Sequence, residues 1–327
     1  MLSNQGEIMG QTNIIGVDVG GTNIKLGLLS GDDVLFSRSF ETRSFRPRDE
    51  IITNIVQHVK AIQNEASAQS LNVHGLGIGV PATLDVEKGA TLIMPNFASG
   101  WFGFPVANAL QEQTGLLSFV VNDARSFVLA ESLLGAGRGF KHVFGVILGT
   151  GVGGGFVLDG KLQLGKGWAG EFGHFIVDPN GSVCGCGSVG CLETVASASA
   201  LVGSVVRPFL HGRTPVLHEL AEGDLNKVSA QLITEAARQG DEGCLESLAK
   251  LLYTLGTALA TVSTLLAPER IIIGGGLSKA TDLLLPGIHK AFEKHAKVVP
   301  ELPGVAVAEL ENPGVIGAAL YARSQVS

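Results

Sequence analysis

The sequence predicts an α/β protein of two related lobes, and three observations carry that expectation. A Gly-rich strand–turn–strand pattern occurs twice, at Ile14–Leu29 and Val143–Leu158, and the two stretches align without a gap. Short apolar strands alternate with segments of helical spacing through the rest of the chain. A length of 327 residues also exceeds what one ordinary hydrophobic core organises.

Taken in order, Met1 to Thr12 reads as a flexible lead-in, with Met9 a possible alternative start. Asn13 to Ser30 is a strand, a Gly-rich turn and a second strand, followed by a third at about Asp33 to Phe40. Pro47 to Ala68 is predicted helical because Ile51, Ile55, Val59 and Ile62 fall on one face. Leu76 to Val80 is a short buried strand, Pro95 to Pro105 a loop, and Val106 to Gln113 a helix. A strand at Ser118 to Val121 ends at Asn122-Asp123, before a helix from Ala124 to Leu134.

The opening pattern then returns, with Gly16, Val17, Gly20 and Leu29 falling on Gly145, Val146, Gly149 and Leu158. Helices are predicted at Val195 to Phe209, Leu225 to Arg238 and Glu242 to Leu266, the last ended by Pro268. Arg270 to Ile273 is a buried strand running into Gly274-Gly275-Gly276. A helix at Ala280 to His295 and a strand at Val305 to Ala308 follow. A closing helix from Pro313 to Ser324 has proline in its favoured first turn. The expected division is a small lobe, 1–122 joined by about 310–327, and a larger one, 123–309.

Composition excludes several function classes. Charged residues are 16% of a 45% hydrophobic chain, too few for extended disorder. A net charge of −7 argues against nucleic acid as the main partner, since phosphate-backbone binding needs a basic face. No signal-peptide pattern or run of 18 apolar residues is evident, so no membrane partner is expected. Thiols grouped for a metal fit a reducing compartment, which predicts a cytoplasmic protein.

The densest chemistry lies in GEFGHFIVDPNGSVCGCGSVGCLE, Gly170 to Glu193, which holds three of the chain's four cysteines. Cys184, Cys186 and Cys191 with His174 make a closed tetrahedral donor set for structural Zn²⁺. A four-ligand site leaves no open position for activating water, so its expected work is to hold Glu171 and Glu193 near one point. There two carboxylates could accept from the hydroxyls of a polyhydroxylated ligand.

Asp18-Val19-Gly20-Gly21-Thr22-Asn23 leaves a strand in a tight turn. It offers backbone N–H groups and a hydroxyl to phosphate, and Asp18 to a hydrated Mg²⁺. Gly149-Thr150-Gly151, continuing to Gly155, offers a second set of amides. Each is also what a plain hairpin would show; as a pair they favour gripping a polyphosphate. Neither is a P-loop, nor does either lead straight into a helix. Asp123, just past an apolar strand, suits a base in phosphoryl transfer, or equally a helix N-cap. Gly274, Gly275 and Gly276 would let backbone approach an adenine or ribose. Asn96, near Trp101, fits a polar-ligand contact or a surface loop.

Together these motifs resemble the ROK family (repressor, open reading frame, kinase) of sugar kinases. The resemblance is carried by DVGGTN at Asp18 to Asn23, GVP at Gly79 to Pro81, Asn122-Asp123, LGTGVGGG at Leu148 to Gly155, GEFGH at Gly170 to His174, CGCGSVGCLE at Cys184 to Glu193, and Gly274 to Gly276. It implies the actin-like, hexokinase-type (ribonuclease H-like) fold of two α/β lobes with a central cleft, and ATP-dependent phosphorylation of a hexose, generally at the 6-hydroxyl. It implies Asp123 as general base, with Asn96, Asn122, Asp123, Glu171, His174 and Glu193 at the sugar. Asp18, Gly20, Gly21, Thr22, Asn23, Gly149, Thr150 and Gly151 match its phosphate turns. A homodimer is implied too, for which the long apolar helices could supply an interface or simply be core. One departure is Val80-Pro81-Ala82, where many members read GxPG; an added methyl there could narrow the sugar pocket.

Glucose is the expected substrate, with an N-acetylhexosamine (N-acetylglucosamine or N-acetylmannosamine) or fructose as alternatives. A sugar-responsive repressor is disfavoured because about a dozen residues precede the first strand, too few for a helix-turn-helix domain. A non-catalytic sugar-binding regulator is disfavoured by the presence of both Asp18 and Asp123.

Overall fold

The computed structural model describes residues 12–94 and 97–326. The lead-in with Met9, and Asn96, lie outside the described residues. The chain divides into two compact units, one drawn from 1–130, 164–168 and 310–327 and the other from 131–163 and 169–309.

The first unit is built on a five-stranded sheet. Its strands in chain order are β1 (Asn13–Val19), β2 (Asn23–Ser30), β3 (Asp33–Glu41), β4 (Val73–Val80) and, after the small hairpin β5 (Thr83–Asp85) and β6 (Ala90–Ile93), β7 (Ser118–Asn122). They lie in the order β3-β2-β1-β4-β7. β1 to β3 form antiparallel pairs, while β4 and β7 run parallel to β1. Helix α1 (Arg48–Ala68) buries Ile51, Ile55, Val59 and Ile62, the stripe its spacing predicts. Helices α2 (Val106–Thr114) and α3 (Asp123–Leu133) flank β7.

The second unit repeats the plan. β8 (His142–Leu148), β9 (Val152–Leu158), β10 (Lys161–Leu162), β11 (Arg270–Gly274) and β12 (Gly304–Val307) are ordered β10-β9-β8-β11-β12. Here too the first three pair antiparallel and the last two join in parallel. One constant offset carries Asn13 to His142, Val19 to Leu148 and Asn23 to Val152, so the ungapped recurrence in the sequence is a recurrence of architecture.

Between β10 and β11 lie α4 (Glu193–Ala196), α5 (Ala198–Leu210), α6 (Pro215–Leu220), α7 (Ala230–Arg238) and α8 (Glu242–Leu266); α9 (Thr281–His295) precedes β12. Two predicted helices are each interrupted by a cap. Ser197 Oγ accepts the Ala200 N–H at 3.0 Å, so the stretch expected at Val195 to Phe209 restarts there as α5. Asp224 and Ser229 each cap a separate start, which confines Leu225–Lys227 to one 3₁₀ turn and delays α7 to Ala230. The hairpin β5–β6, β10 and α6 had no expected counterpart.

Helix α8 contains no unbroken run of 18 apolar residues, yet by length and composition it could cross a bilayer, with a mean hydropathy of 1.3. Its apolar window is 56% buried, however, against α5, α7 and α9 in the core of the unit.

The last helix, α10 (Pro313–Val326), packs on β1 and β4 of the first unit. Gly16 and Gly77 are register partners in those strands. A Cβ at Gly16 would strike the Val315 carbonyl and one at Gly77 the Ala318 carbonyl. The two glycines therefore form a bare patch on which the helix backbone rests directly.

Candidate active site

In the second unit, the chain after β10 folds down onto β9. Gly154 has no room for a Cβ beneath Phe172, and one at Gly170 would meet the backbone of Gly154 and Gly155. Gly153, Gly154 and Gly155 pair with Ile147, Val146 and Gly145 in the sheet. The sequence reading of a phosphate loop continuing to Gly155 is thus corrected. The turn stops at Gly151, and the three following glycines are a flat floor for Gly170–His174, whose Phe172 packs edge-on against Phe144 at 5.2 Å.

A 3₁₀ turn, Phe172–His174, then brings His174 to the cysteine loop. The Cys184 N–H donates to the Ser188 carbonyl at 2.8 Å and the Gly190 N–H to the Ser182 carbonyl at 2.9 Å, closing the loop on itself. Gly190 has φ +76° and lies so close to the Asp178 carbonyl that no side chain fits. The result gathers one donor atom each from His174, Cys184, Cys186 and Cys191, all within 4.8 Å of one another. Cys186 Sγ and Cys191 Sγ are 3.7 Å apart, and so are Cys184 Sγ and His174 Nδ1. Those separations match the ~3.8 Å edge of a tetrahedron with Zn–S bonds of about 2.3 Å, and are far too long for a disulfide. The donor set fits zinc. Burial pushes the Cys191 thiol up to about 12 and raises Cys184, while the Ser188 backbone N–H brings Cys186 down to about 7. A bound cation is what would hold all three as thiolates.

Glu193 opens α4 two residues past Cys191. Its Oε2 accepts the Val152 N–H at 2.9 Å, and its Oε1 lies 3.8 Å from Cys184 Sγ. In the turn itself, the Gly149 N–H donates to the Gly151 carbonyl at 3.0 Å, which leaves Thr150 exposed at the tip. Gly275, at φ +89°, lies against the backbone of Leu148 with no space for a Cβ. The Gly274–Gly276 run therefore lets β11 lead past the end of β8, next to this turn.

In the first unit, Asp18 is the last residue but one of β1, beside the corresponding Gly-rich turn. The Gly20 N–H donates to the Asn23 carbonyl at 3.0 Å, and the Thr42 hydroxyl donates to the Gly20 carbonyl at 2.6 Å. Gly21 and Thr22 are exposed at the tip, and a Cβ on Gly21 would meet nothing within 4 Å. Desolvation, then repulsion from the Asp123 carboxylate, raises the half-buried Asp18 to about 6, against a smaller opposing pull from Lys25. A carboxylate whose ionisation is made costlier by a second one beside it is a ready place for a divalent cation.

Asp123 follows β7. The cap that the sequence left open for it belongs instead to Asn122, whose Oδ1 accepts the Arg125 N–H at 3.2 Å and whose Nδ2 donates to the Ala82 carbonyl at 3.3 Å. Asp123 Oδ1 accepts the N–H of its neighbour Ala124 at 2.8 Å. Ala82 is 3% exposed, and its methyl belongs to the apolar cluster with Leu84, Met94 and Trp101. The departure from GxPG is thus a core methyl.

Each unit accordingly assembles part of the expected set. Asp18, the Gly20–Thr22 turn, Asn122 and Asp123 come together in the first; Glu193, the zinc donors, Gly149–Gly151 and Gly274–Gly276 come together in the second. Sequence reasoning missed Thr42 and the Val152 amide. Neither carries a motif, since one is a lone Thr after a strand and the other is backbone.

A family model described as the ROK family matches residues 14–325. The chain is 34% identical to a glucokinase of Thermotoga maritima, over 97% of this chain and 99% of that protein. It is 37% identical to a glucokinase of Halalkalibacterium halodurans, over 95% of each. Among solved structures, a ROK family glucokinase from Streptomyces griseus in complex with glucose and AMPPNP superposes with a TM-score of 0.81. That structure is 33% identical, covering 95% of this chain and 99% of that one.

Proposed function

The chain belongs to the ROK family, with its actin-like fold, and we propose that it is a glucokinase using ATP as phosphoryl donor. As a sugar kinase it joins the 6-hydroxyl oxygen of the hexose to the γ-phosphorus while the bond to the β,γ-bridging oxygen breaks, releasing ADP.

The observation that carries this reading is the Asp18–Asp123 pair. Both lie at the carboxyl ends of strands that flank β4, one beside a Gly-rich turn and one at the start of a helix. In this reading Asp123 receives the hydroxyl proton as the oxygen attacks, a step for which a positioned base contributes about 10²–10⁴-fold. Asp18 would hold Mg²⁺, which when bound neutralises charge on the transferring phosphoryl group. The tips Gly21–Thr22 and Thr150–Gly151 present amides to phosphate oxygens, and Gly274–Gly276 borders the nucleotide. Glu171, His174 and Glu193 are the proposed acceptors for ring hydroxyls, held by a zinc that performs no chemistry of its own; Asn122 keeps Asp123 in place, and Asn96 is assigned to the sugar on resemblance alone.

We read the two units as the two lobes of the family fold, and the protein as a cytoplasmic homodimer of carbohydrate metabolism. A coupled assay of ADP release across glucose, N-acetylglucosamine, N-acetylmannosamine, mannose and fructose, with zinc measured on the same sample, tests the function. Highest kcat/KM for glucose and about one zinc per chain are expected. Preference for an N-acetylhexosamine would move the substrate, and no turnover with any sugar would remove the reading.

A further inference from the structure

The turn Gly149–Val152 is braced from two sides by the single short segment that follows the last zinc donor. Leu192, fully buried, anchors that segment by donating its N–H to the Phe175 carbonyl at 2.8 Å. On one side the Glu193 carboxylate takes the Val152 N–H at 2.9 Å. On the other the Ala198 N–H donates to the Gly149 carbonyl at 2.9 Å. Gly151 lies so close beneath Glu193 that any Cβ there would run into the carboxylate. The other carboxylate oxygen faces Cys184 Sγ at 3.8 Å.

A Gly-rich turn left alone samples many backbone conformations, and a side-chain acceptor held on one of its amides selects among them. The same carboxylate repels a phosphate bound nearby, so its charge cannot be what the turn needs. What the turn needs is the acceptor atom. We infer that Glu193 is a positioning residue for the nucleotide turn, which couples the order of the metal loop to affinity for the nucleotide phosphates, over and above any contact with sugar. The inference rests on the reading of Gly149–Gly151 as a phosphate turn and deepens it. Because coupling between two sites is reciprocal, nucleotide should in turn steady the metal loop.

The test uses the full-length zinc-loaded protein with no sugar present. Mg–ADP is titrated calorimetrically, and zinc release to a chelator is timed with and without ADP. Wild type and Glu193→Gln, which keeps an acceptor oxygen and drops the charge, are expected to bind ADP alike, and ADP should slow zinc release severalfold in both. Glu193→Ala should bind ADP about tenfold more weakly, and the protection should vanish. Gly151→Ala, which leaves every zinc donor and Glu193 intact, should quicken zinc release severalfold even without nucleotide, and it decides the matter if Glu193→Ala does not fold. Equal ADP affinity in Glu193→Ala and wild type overturns the inference, as does zinc release indifferent to ADP in wild type or to Gly151→Ala. If wild type binds no ADP at all, the phosphate-turn reading fails, and the inference with it.

Discussion

The side-chain amide of Asn122 donates to the backbone carbonyl of Ala82 at 3.3 Å, while its oxygen caps α3 through the Arg125 N–H at 3.2 Å. One side chain thereby ties the end of β7, the first turn of a helix and the Val80-Pro81-Ala82 bend into a single support beneath Asp123. Asn122→Ala removes both bonds. We expect a loss of about 1–2 kcal/mol in urea denaturation, in line with other lost caps, and a fall in kcat of about tenfold or more as Asp123 loses its bearing.

Ala82→Gly separates the two functions of that bend. The carbonyl is retained and only a buried methyl is lost, so stability should fall by about 1 kcal/mol. The ratio of kcat/KM for glucose over mannose should change less than twofold, measured on the same preparation.

Asp123→Ala should leave sugar binding intact and lower kcat about 10²–10⁴-fold. Glucose affinity by calorimetry beside a coupled assay checks this. Turnover within tenfold of wild type would remove Asp123 from the role of base.

Asp18 makes stability depend on pH in a defined direction. Its folded-state pKa is raised to about 6, so the folded protein holds the proton more tightly than the unfolded chain does. Its contribution is therefore most favourable below the ordinary carboxyl range, and stability is lost as pH rises from about 4 through 6. Asp18→Asn should be more stable than wild type by about 1–2 kcal/mol at pH 7.5, with the difference gone by pH 4. It should also lose Mg–ATP turnover. Chemical denaturation at both pH values, with no nucleotide present, is the measurement.

Two glycines of one hairpin should behave in opposite ways. Gly21 faces open space and Gly16 is pressed by the Val315 carbonyl. Gly21→Ala should melt within about 2 °C of wild type and, if the turn holds phosphate as proposed, bind ATP poorly because the added methyl crowds the phosphate. Gly16→Ala should lose about 3 kcal/mol or more, since overpacking against backbone cannot be relieved by a rotamer change.

Much of this was legible in the sequence, and the exceptions have physical causes. The two hairpins announced themselves because glycine recurs at one offset, Gly16 with Gly145 and Gly20 with Gly149, at corresponding places in the two sheets. The zinc donors were legible because thiols concentrated in one short loop have few other uses. Helix ends were misjudged where Ser197, Asp224 and Ser229 sit among good helix formers. There the cap is one hydroxyl or carboxylate turned onto the backbone, while the apolar spacing runs on past it. Gly153 to Gly155 were misassigned because a glycine needed for close packing and one needed for a phosphate look alike until the neighbour is known. The brace from Glu193 to Val152 was beyond reach, since one of its ends is a backbone amide.

The seat of α10 on the bare Gly16–Gly77 patch also has a bearing on biosynthesis. The first unit cannot complete its sheet packing until residues 313–326 have been made, whereas everything the second unit needs has been translated by residue 309. During synthesis the earlier-made strands of the first unit should therefore wait with one apolar side uncovered until α10 emerges. This is the interval in which a chaperone would have most to protect.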